Sequence, residues 1–196
     1  VGLIRHGRGG VVLIGPGHQR ETLRLERFLV RNAYPHRILD TAGDPASRHA
    51  LDGFGLIEAD LPVVIAPGAA VMRNPTNAAL ADALGLTEAI DPGRIYDVAV
   101  IGAGPAGLAA AGYAASEGLD TIVVEGMAPG GQAGTSSKIE NYLGFPTGIS
   151  GQALAGRAQV QAQKFGARLA ISRMAAGLDC HGPAFRVLLE DGTAIP

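Results

Sequence analysis

The fold of the second half of this chain is decided by Tyr96-Asp-Val-Ala-Val-Ile-Gly102-Ala-Gly104-Pro-Ala-Gly107. The apolar start of this stretch predicts a buried strand, and the alanine-rich run after Gly107 predicts a helix. The glycines between them follow the spacing G-x-G-x-x-G. The first permits a tight turn, the second lets a ligand approach the backbone, and the third lets helix and strand pack closely. The stretch therefore predicts a site where a pyrophosphate meets the N–H groups of a helix N-terminus.

An acidic residue follows the next predicted strand, Leu119–Val124. Glu125 stands about 20 residues past the glycines, where a carboxylate accepts hydrogen bonds from the hydroxyls of an adenosine ribose. Because a carboxylate at this place repels a 2′-phosphate, the pattern favours FAD or NAD over NADP.

The choice between FAD and NAD depends on the long loop 128–146. A simple NAD-binding half-domain would pass quickly into a helix, and long loops inside compact domains are usually functional. Gly130 and Gly131 give access to the backbone, and Gln132 and Asn141 carry amides that can hydrogen-bond a flavin. The loop therefore favours FAD, and an NAD-binding domain is the weaker alternative.

The predicted elements beyond this loop continue an α/β unit. Ser150 is a suitable N-cap for a helix over 151–165, and a strand is predicted over 168–171. Two short strands around Asp191-Gly192 predict a hairpin with a type I′ turn. Cys180, just before this hairpin, is predicted to be an incidental thiol.

The sequence predicts a separate small α/β domain over residues 1–88 and a linker over residues 89–95. Its predicted strands and helices, in the order β-α-β-α-β-β-α, cover 11–14, 18–31, 37–40, 45–53, 61–65, 70–73 and 76–84. This order resembles the glutaredoxin/thioredoxin fold, and Leu61-Pro62 falls where that fold carries a cis-proline. The place of its Cys-x-x-Cys reads Gly15-Pro-Gly-His-Gln-Arg-Glu-Thr, without sulfur, so no disulfide exchange is predicted. The expected role is to dock a protein partner or to act as a spacer, and the alternative is a small anion or peptide bound at 15–19 near His18.

Several motifs of residues 96–196 together resemble the thioredoxin reductase-like flavoproteins, the low-molecular-weight branch of the pyridine nucleotide–disulfide oxidoreductases. They are GAGPAG, the strand-end Glu125, PGGQ, IENYLGFP and SGQAL. Residues 1–95 are similar to a bacterial subgroup in which a cysteine-free thioredoxin-like module precedes the reductase. The resemblance implies a thioredoxin-like domain followed by a Rossmann-like FAD-binding domain with a small β-meander.

The same resemblance implies a set of cofactor-binding residues near the predicted strand ends. These are Gly102, Gly104, Pro105 and Ala106 at the FAD pyrophosphate, Glu125 at the ribose, Gly131, Gln132 and Asn141 on the flavin side with Gly130 beside them, and the backbone of Met174 at the adenine.

Members of the family continue into an NADPH domain with its own glycine motif and a Cys-x-x-Cys, and neither occurs in these 196 residues. The chain is therefore expected to be the FAD-binding portion of a longer oxidoreductase, without catalytic residues of its own. In the full-length protein NADPH would reduce FAD, and FAD would reduce a disulfide. The alternative is a non-catalytic, flavin-containing interaction or sensor module.

Composition narrows the remaining classes of function. The net charge of −2 gives no basic surface for nucleic acid, and no apolar run reaches the length of a membrane span. The single cysteine and the absence of a signal peptide predict a reducing cytoplasm. The five histidines lack metal-ligand spacing, so no metal site is expected. A homodimer is expected from the family.

Overall fold

The computed structural model describes residues 10–44, 47, 51, 53–68, 70–182 and 184–196. The chain divides into two compact units, Val1–Leu84 and Gly85–Pro196.

Unit 1 is built on one mixed sheet of four strands in the order β2-β1-β3-β4. Strands β1 and β2 are parallel, whereas β3 is antiparallel to both β1 and β4. Its elements are β1 (Val11–Gly15), α1 (Arg20–Arg31), β2 (His36–Asp40), a 3-10 helix (Glu58–Asp60), β3 (Val63–Ile65), β4 (Val71–Arg73) and α2 (Asn77–Ala83).

The apolar pattern of unit 1 explains these elements. All five residues of β1 are buried, and the apolar stripe of α1, formed by Leu25, Phe28 and Leu29, has no exposed surface. The peptide bond between Leu61 and Pro62 is cis, as predicted. The helix predicted over 45–53 lies largely outside the described residues, and the thioredoxin-like assignment of unit 1 stays a prediction.

Unit 2 contains a parallel sheet in the order β5-β6-β7 and an antiparallel meander in the order β10-β9-β8. Its elements are β5 (Val98–Ile101), α3 (Pro105–Ser116), β6 (Thr121–Glu125), a 3-10 helix (Ala133–Thr135), α4 (Gly151–Lys164), β7 (Arg168–Ile171), β8 (Ala175–Asp179), β9 (Arg186–Leu189) and β10 (Ala194–Ile195). This arrangement is a mixed α/β, Rossmann-like fold.

The central strand β6 is buried on both faces. Its alternate residues point to opposite sides of the sheet, and the helices cover one side while the meander covers the other. Val123 packs with the helices, in a cluster with Leu108, Ala111, Ala162 and Leu169. Its neighbours Ile122 and Val124 pack with the meander, in a cluster with Tyr96, Val187, Leu189 and Ile195. The prediction that β5 is buried is wrong in part, since β5 lies at the edge of this sheet and Ile101 is 55% exposed.

The turn between β9 and β10 differs from the predicted type I′ turn. Gly192 has φ +86°, but Asp191 is not among the described residues with positive φ, which type I′ requires at both central positions. The N–H of Gly192 donates to the Leu189 carbonyl (3.1 Å), and the N–H of Leu189 donates to the Thr193 carbonyl (2.9 Å). The turn is therefore a type I turn followed by a glycine bulge.

The segment expected to act as a linker, together with Thr87 and Glu88 before it, packs within unit 2. The N–H of Glu88 donates to the Leu169 carbonyl (2.9 Å), and the Thr87 hydroxyl accepts the N–H of Ile171 (2.8 Å). Ile90 packs against the meander cluster, and Arg94 pairs with Asp120. Residues 89–95 thus form part of unit 2, although the domain boundaries themselves stay a prediction. Within the described ranges, no helix combines the length and apolar character needed to cross a bilayer.

Candidate dinucleotide-binding site

The candidate site lies at the edge of the parallel sheet where β5, β6 and β7 end. The glycine turn follows β5, Glu125 ends β6, and Met174 comes shortly after β7. In open parallel sheets, ligands bind outside the carboxyl ends of the strands. The fold therefore brings the predicted pyrophosphate, ribose and adenine residues to one edge.

Two glycines of the turn are needed by the protein itself. Gly102 has φ +94°, a left-handed conformation that favours glycine. A Cβ at Gly107 would stand 1.9 Å from the carbonyl oxygen of Gly102, so only glycine lets α3 approach the turn this closely. Both glycines are explained by the shape of the turn without a ligand.

Gly104 has no such internal explanation. Its φ of −70° and ψ of 177° suit any residue, and a Cβ placed there would meet nothing within 4 Å. The space that a side chain would fill lies open in front of α3. In a turn that leads into a helix N-terminus, a glycine that neither conformation nor packing requires leaves room for a ligand to approach the backbone.

The N-terminus of α3 faces this open space. Gly104 is the N-cap without a side-chain cap, Pro105 takes the first helical position, and the first turn carries no acidic residue. The first N–H groups of a helix have no partners within the helix, and the helix dipole places partial positive charge there. This end of α3 is therefore suited to an anion such as a pyrophosphate.

The carboxylate of Glu125 holds the turn on the adenosine side. Oε2 accepts the N–H of Ala103 (2.8 Å), and Oε1 accepts the N–H groups of Met127 (2.9 Å) and Ala128 (3.3 Å). The ribose residue predicted from the sequence thus contacts the glycine turn directly.

The predicted flavin-side glycines pack against the same turn. The N–H of Gly130 donates to the carbonyl of Ala103 (2.7 Å). Gly131 has φ +53°, and a Cβ there would stand 3.2 Å from the Cα of Gly104. The structure therefore brings Gly130 and Gly131 to the glycine turn.

Gln132 and Asn141 are less closely tied to the turn. Gln132 is exposed, and its carbonyl accepts both the N–H and the hydroxyl of Thr135. Asn141 is exposed as well, and within the described ranges no hydrogen bond joins it to the glycine turn. Its neighbour Tyr142 lines a cleft with Pro105.

Met174 lies beside the turn that follows Glu125. Its side chain packs over Gly126, where a Cβ would stand 2.6 Å from Cε of Met174. The carbonyl of Met174 accepts the N–H of Glu190 (2.9 Å), which leaves the N–H as the backbone group for an adenine contact.

Sequence reasoning missed Ala103 as a central residue of the site. Its N–H donates to Glu125, its carbonyl accepts from Gly130, and its methyl group is fully buried. These contacts use the backbone, so the alanine side chain gives no sequence signal beyond its place between two glycines.

The loop 15–19 of unit 1 lines a separate cleft of about 280 Å3 with Thr41, Ala42, Glu58 and Leu61. Behind it, Asp40 accepts the N–H groups of Gly17 (2.9 Å) and Ala42 (3.0 Å), and these bonds hold the pKa of Asp40 below its usual value. Because Asp40 and Glu58 are both acidic, the surroundings disfavour a small anion. Among the described residues, no cluster of His, Cys, Asp or Glu is arranged to hold a metal ion.

Comparison with known proteins shows which proteins unit 2 is similar to. Residues 96–186 match the family model for pyridine nucleotide-disulphide oxidoreductases. Thioredoxin reductase of Mycoplasmopsis pulmonis is 41% identical over 102 residues, which cover 52% of this chain and 33% of that protein. Thioredoxin reductase of Bacillus subtilis is 46% identical over 77 residues, 39% of this chain and 24% of that protein.

A solved structure of thioredoxin reductase from Streptococcus pyogenes aligns with 52% of this chain and 32% of its own, at a TM-score of 0.48 and 38% identity. Residues 96–186 thus match the pyridine nucleotide-disulphide oxidoreductase family model and are thioredoxin reductase-like in sequence. The chain spans a third or less of the length of these relatives.

Proposed function

We propose that residues 96–196 form the first part of the FAD-binding domain of a thioredoxin reductase-like flavoprotein oxidoreductase. In the longer protein, NADPH reduces FAD, and FAD reduces a disulfide. The observation that carries this proposal is the open space at Gly104, in front of the N-terminus of α3 and beside Glu125. The relatives named thioredoxin reductase support the choice of flavoprotein.

The residues of the turn fit the parts of FAD. The N–H groups at Gly104 and Ala106 face the place of the pyrophosphate, and Pro105 fixes the start of α3 without requiring a partner for an N–H. Gly102 shapes the turn, and Glu125 accepts a ribose hydroxyl.

The remaining predicted residues serve the two ends of the cofactor. Gly130 and Gly131 give the flavin side access to the backbone, with the amides of Gln132 and Asn141 at hand. The N–H of Met174 serves the adenine. When bound, FAD supplies a carrier that takes two electrons from a reduced nicotinamide and passes them to a disulfide. The protein holds and orients this carrier.

Unit 1 is proposed to be a thioredoxin-like module that docks a protein partner without redox chemistry of its own. The cis peptide bond at Leu61-Pro62 supports the thioredoxin-like fold, and the loop and first turn between β1 and α1 contain no cysteine for redox chemistry. We further propose that the protein forms a homodimer and is located in the cytoplasm.

The test uses a matched pair of glycine-to-alanine variants of the whole chain. A methyl group at Gly104 or at Gly156, in α4, meets nothing within 4 Å, so both variants are expected to fold. FAD is titrated and followed by quenching of flavin fluorescence. Gly104→Ala is expected to weaken FAD binding at least about tenfold because the methyl group occupies the place of the pyrophosphate. Gly156→Ala is expected to bind FAD as the unchanged chain does.

Equal binding by both variants would contradict the proposed site. Retention of NAD by the purified chain, with no binding of FAD, would favour an NAD-binding domain instead.

A further inference from the structure

We propose that Glu125 is a positioning residue, whose carboxylate holds the phosphate-binding turn in shape before any ligand binds and independently of the ribose. This inference rests on the proposed function, since the turn it concerns is the proposed pyrophosphate site. It assigns the carboxylate a second task beyond contact with a cofactor.

The first support is the number of hydrogen bonds that the carboxylate already accepts. A carboxylate offers about four lone-pair positions. Three backbone N–H groups donate to Glu125, from Ala103 at 2.8 Å, Met127 at 2.9 Å and Ala128 at 3.3 Å. About one position is left for a ribose hydroxyl, so most of the hydrogen-bonding capacity serves the protein itself.

The second support is the place of Ala103 in the turn. Ala103 lies between Gly102, at φ +94°, and Gly104, where the space for a side chain is open. No side chain at Gly104 packs to hold this part of the turn. The bond from Ala103 to Glu125 therefore fixes the peptide plane that precedes the pyrophosphate site.

The third support is a chain of hydrogen bonds that continues from Ala103 into the flavin-side loop. The carbonyl of Ala103 accepts the N–H of Gly130 (2.7 Å), and the carbonyl of Gly130 accepts the N–H of Gly134 (2.9 Å). The carboxylate of Glu125 thus lies at one end of a network that joins the end of β6, the glycine turn and the loop 130–134.

Glutamine cannot replace this function because its amide has one acceptor oxygen and one donor nitrogen. In Glu125→Gln, the nitrogen must face either the N–H of Ala103 or the N–H groups of Met127 and Ala128. Either Ala103 or the pair Met127 and Ala128 therefore loses its acceptor, while the size of the side chain is kept.

The first measurement is amide hydrogen exchange without ligand, read by NMR at Ala103 and Met127 in the whole chain. Glu125→Gln is expected to speed exchange at one or both amides at least about tenfold. The control is Glu117→Gln, which removes the same charge at an exposed position at the far end of α3. Unchanged exchange at both amides in Glu125→Gln would overturn the inference.

The second measurement separates positioning from contact with the ribose. ADP and 2′,3′-dideoxy-ADP are titrated into the unchanged chain and into Glu125→Gln, with binding followed by NMR shifts. A positioning role predicts that the variant weakens 2′,3′-dideoxy-ADP as well, roughly tenfold, and ADP by at least that factor because ADP also loses a ribose contact. Weakening of ADP alone would show that the carboxylate acts only through the ribose hydroxyls, and the inference would be wrong.

The two arms distinguish failure of this inference from failure of the proposed function. If the unchanged chain binds neither ADP nor FAD, the proposed function fails, and the exchange measurement still decides whether Glu125 positions the turn.

Discussion

The two units contain the same arrangement of strand, turn, helix and acid, with different outcomes. In unit 1, β1 leads through Gly15–Gln19 into α1, and Asp40 ends the neighbouring parallel strand β2. In unit 2, β5 leads through the glycine turn into α3, and Glu125 ends the neighbouring parallel strand β6. In both, the carboxylate accepts an N–H from the turn, that of Gly17 or that of Ala103.

The difference lies in what fills the space beside the turn. A Cβ at Gly15 would meet Thr22 Oγ1 at 2.7 Å and Pro62 Cβ at 3.0 Å, and a Cβ at Gly17 would meet Asp40 at 3.0 Å. At Gly104 a Cβ would meet nothing within 4 Å. The positions beside Gly15 and Gly17 are filled by neighbouring side chains, whereas the position beside Gly104 leaves room for a ligand. A glycine-rich turn is therefore a binding site only where the space beside it is open.

The largest loss of stability is expected from Gly107→Ala, where α3 packs closely against the glycine turn. The methyl group would stand 1.9 Å from the Gly102 carbonyl, so α3 must move away from β5. We expect unit 2 to lose about 3 kcal/mol of its free energy of unfolding. Urea unfolding followed by NMR signals of each unit measures the loss, and an unchanged midpoint for unit 2 would show that the turn is looser than the structure indicates.

A smaller loss, about 2 kcal/mol, is expected from Gly15→Ala in unit 1 because the methyl group overlaps Thr22 Oγ1. Thr22 is fully buried, and its hydroxyl has no hydrogen-bond partner in the part of the chain that the structure describes. Adding Thr22→Ala is therefore expected to relieve part of the overlap, so that the double variant is less destabilised than the sum of the two single variants. Simple additivity in urea unfolding would argue against a closed turn.

The contribution of Asp40 to the stability of unit 1 can be tested through its pH dependence. The N–H groups of Gly17 and Ala42 lower the pKa of Asp40 in the folded state. A lowered folded pKa contributes stability above the unfolded pKa, about 3.9, and loses it as pH falls through the folded pKa. Asp40→Asn is expected to remove this contribution, so its urea midpoint should fall less than that of the unchanged chain between about pH 5 and pH 3. Parallel curves for the two proteins would contradict the role of Asp40.

The smallest effect on stability is expected from Gly104→Ala, under about 1 kcal/mol, because alanine is only a weaker N-cap there. Combined with weakened FAD binding, this result would separate Gly104 from every other glycine of the two turns. A loss as large as that of Gly107→Ala would mean that the space at Gly104 is closed in solution.

Much of the fold follows from the sequence because its signals are local. The apolar runs at Val11–Gly15 and Thr121–Glu125, and the caps and glycines that bound α3 and α4, place these elements within about two residues. The spacing of the glycine turn likewise predicts its path, since φ at Gly102 and packing at Gly107 are properties of the turn itself.

The rest depends on contacts between distant residues. The bonds from the N–H of Ala103 to the Glu125 carboxylate and from the N–H of Ile171 to the Thr87 hydroxyl join groups far apart in sequence, and no residue type signals them. Asp91-Pro-Gly indicates a turn, but the residues around it carry no sequence signal that this segment is hydrogen-bonded to β7. The turn at Gly192 was assigned to the wrong type because Asp-Gly suits both a type I′ turn and a type I turn with a bulge.

The pleat of β6 also limits how this chain can change in length. Deleting one residue within Thr121–Glu125 would exchange the faces of the strand, bringing the helix-facing Val123 to the meander side. The same deletion would carry the Glu125 carboxylate away from Ala103. Insertions and deletions at this strand would thus remove the core and the proposed site together, whereas substitutions can alter either one alone.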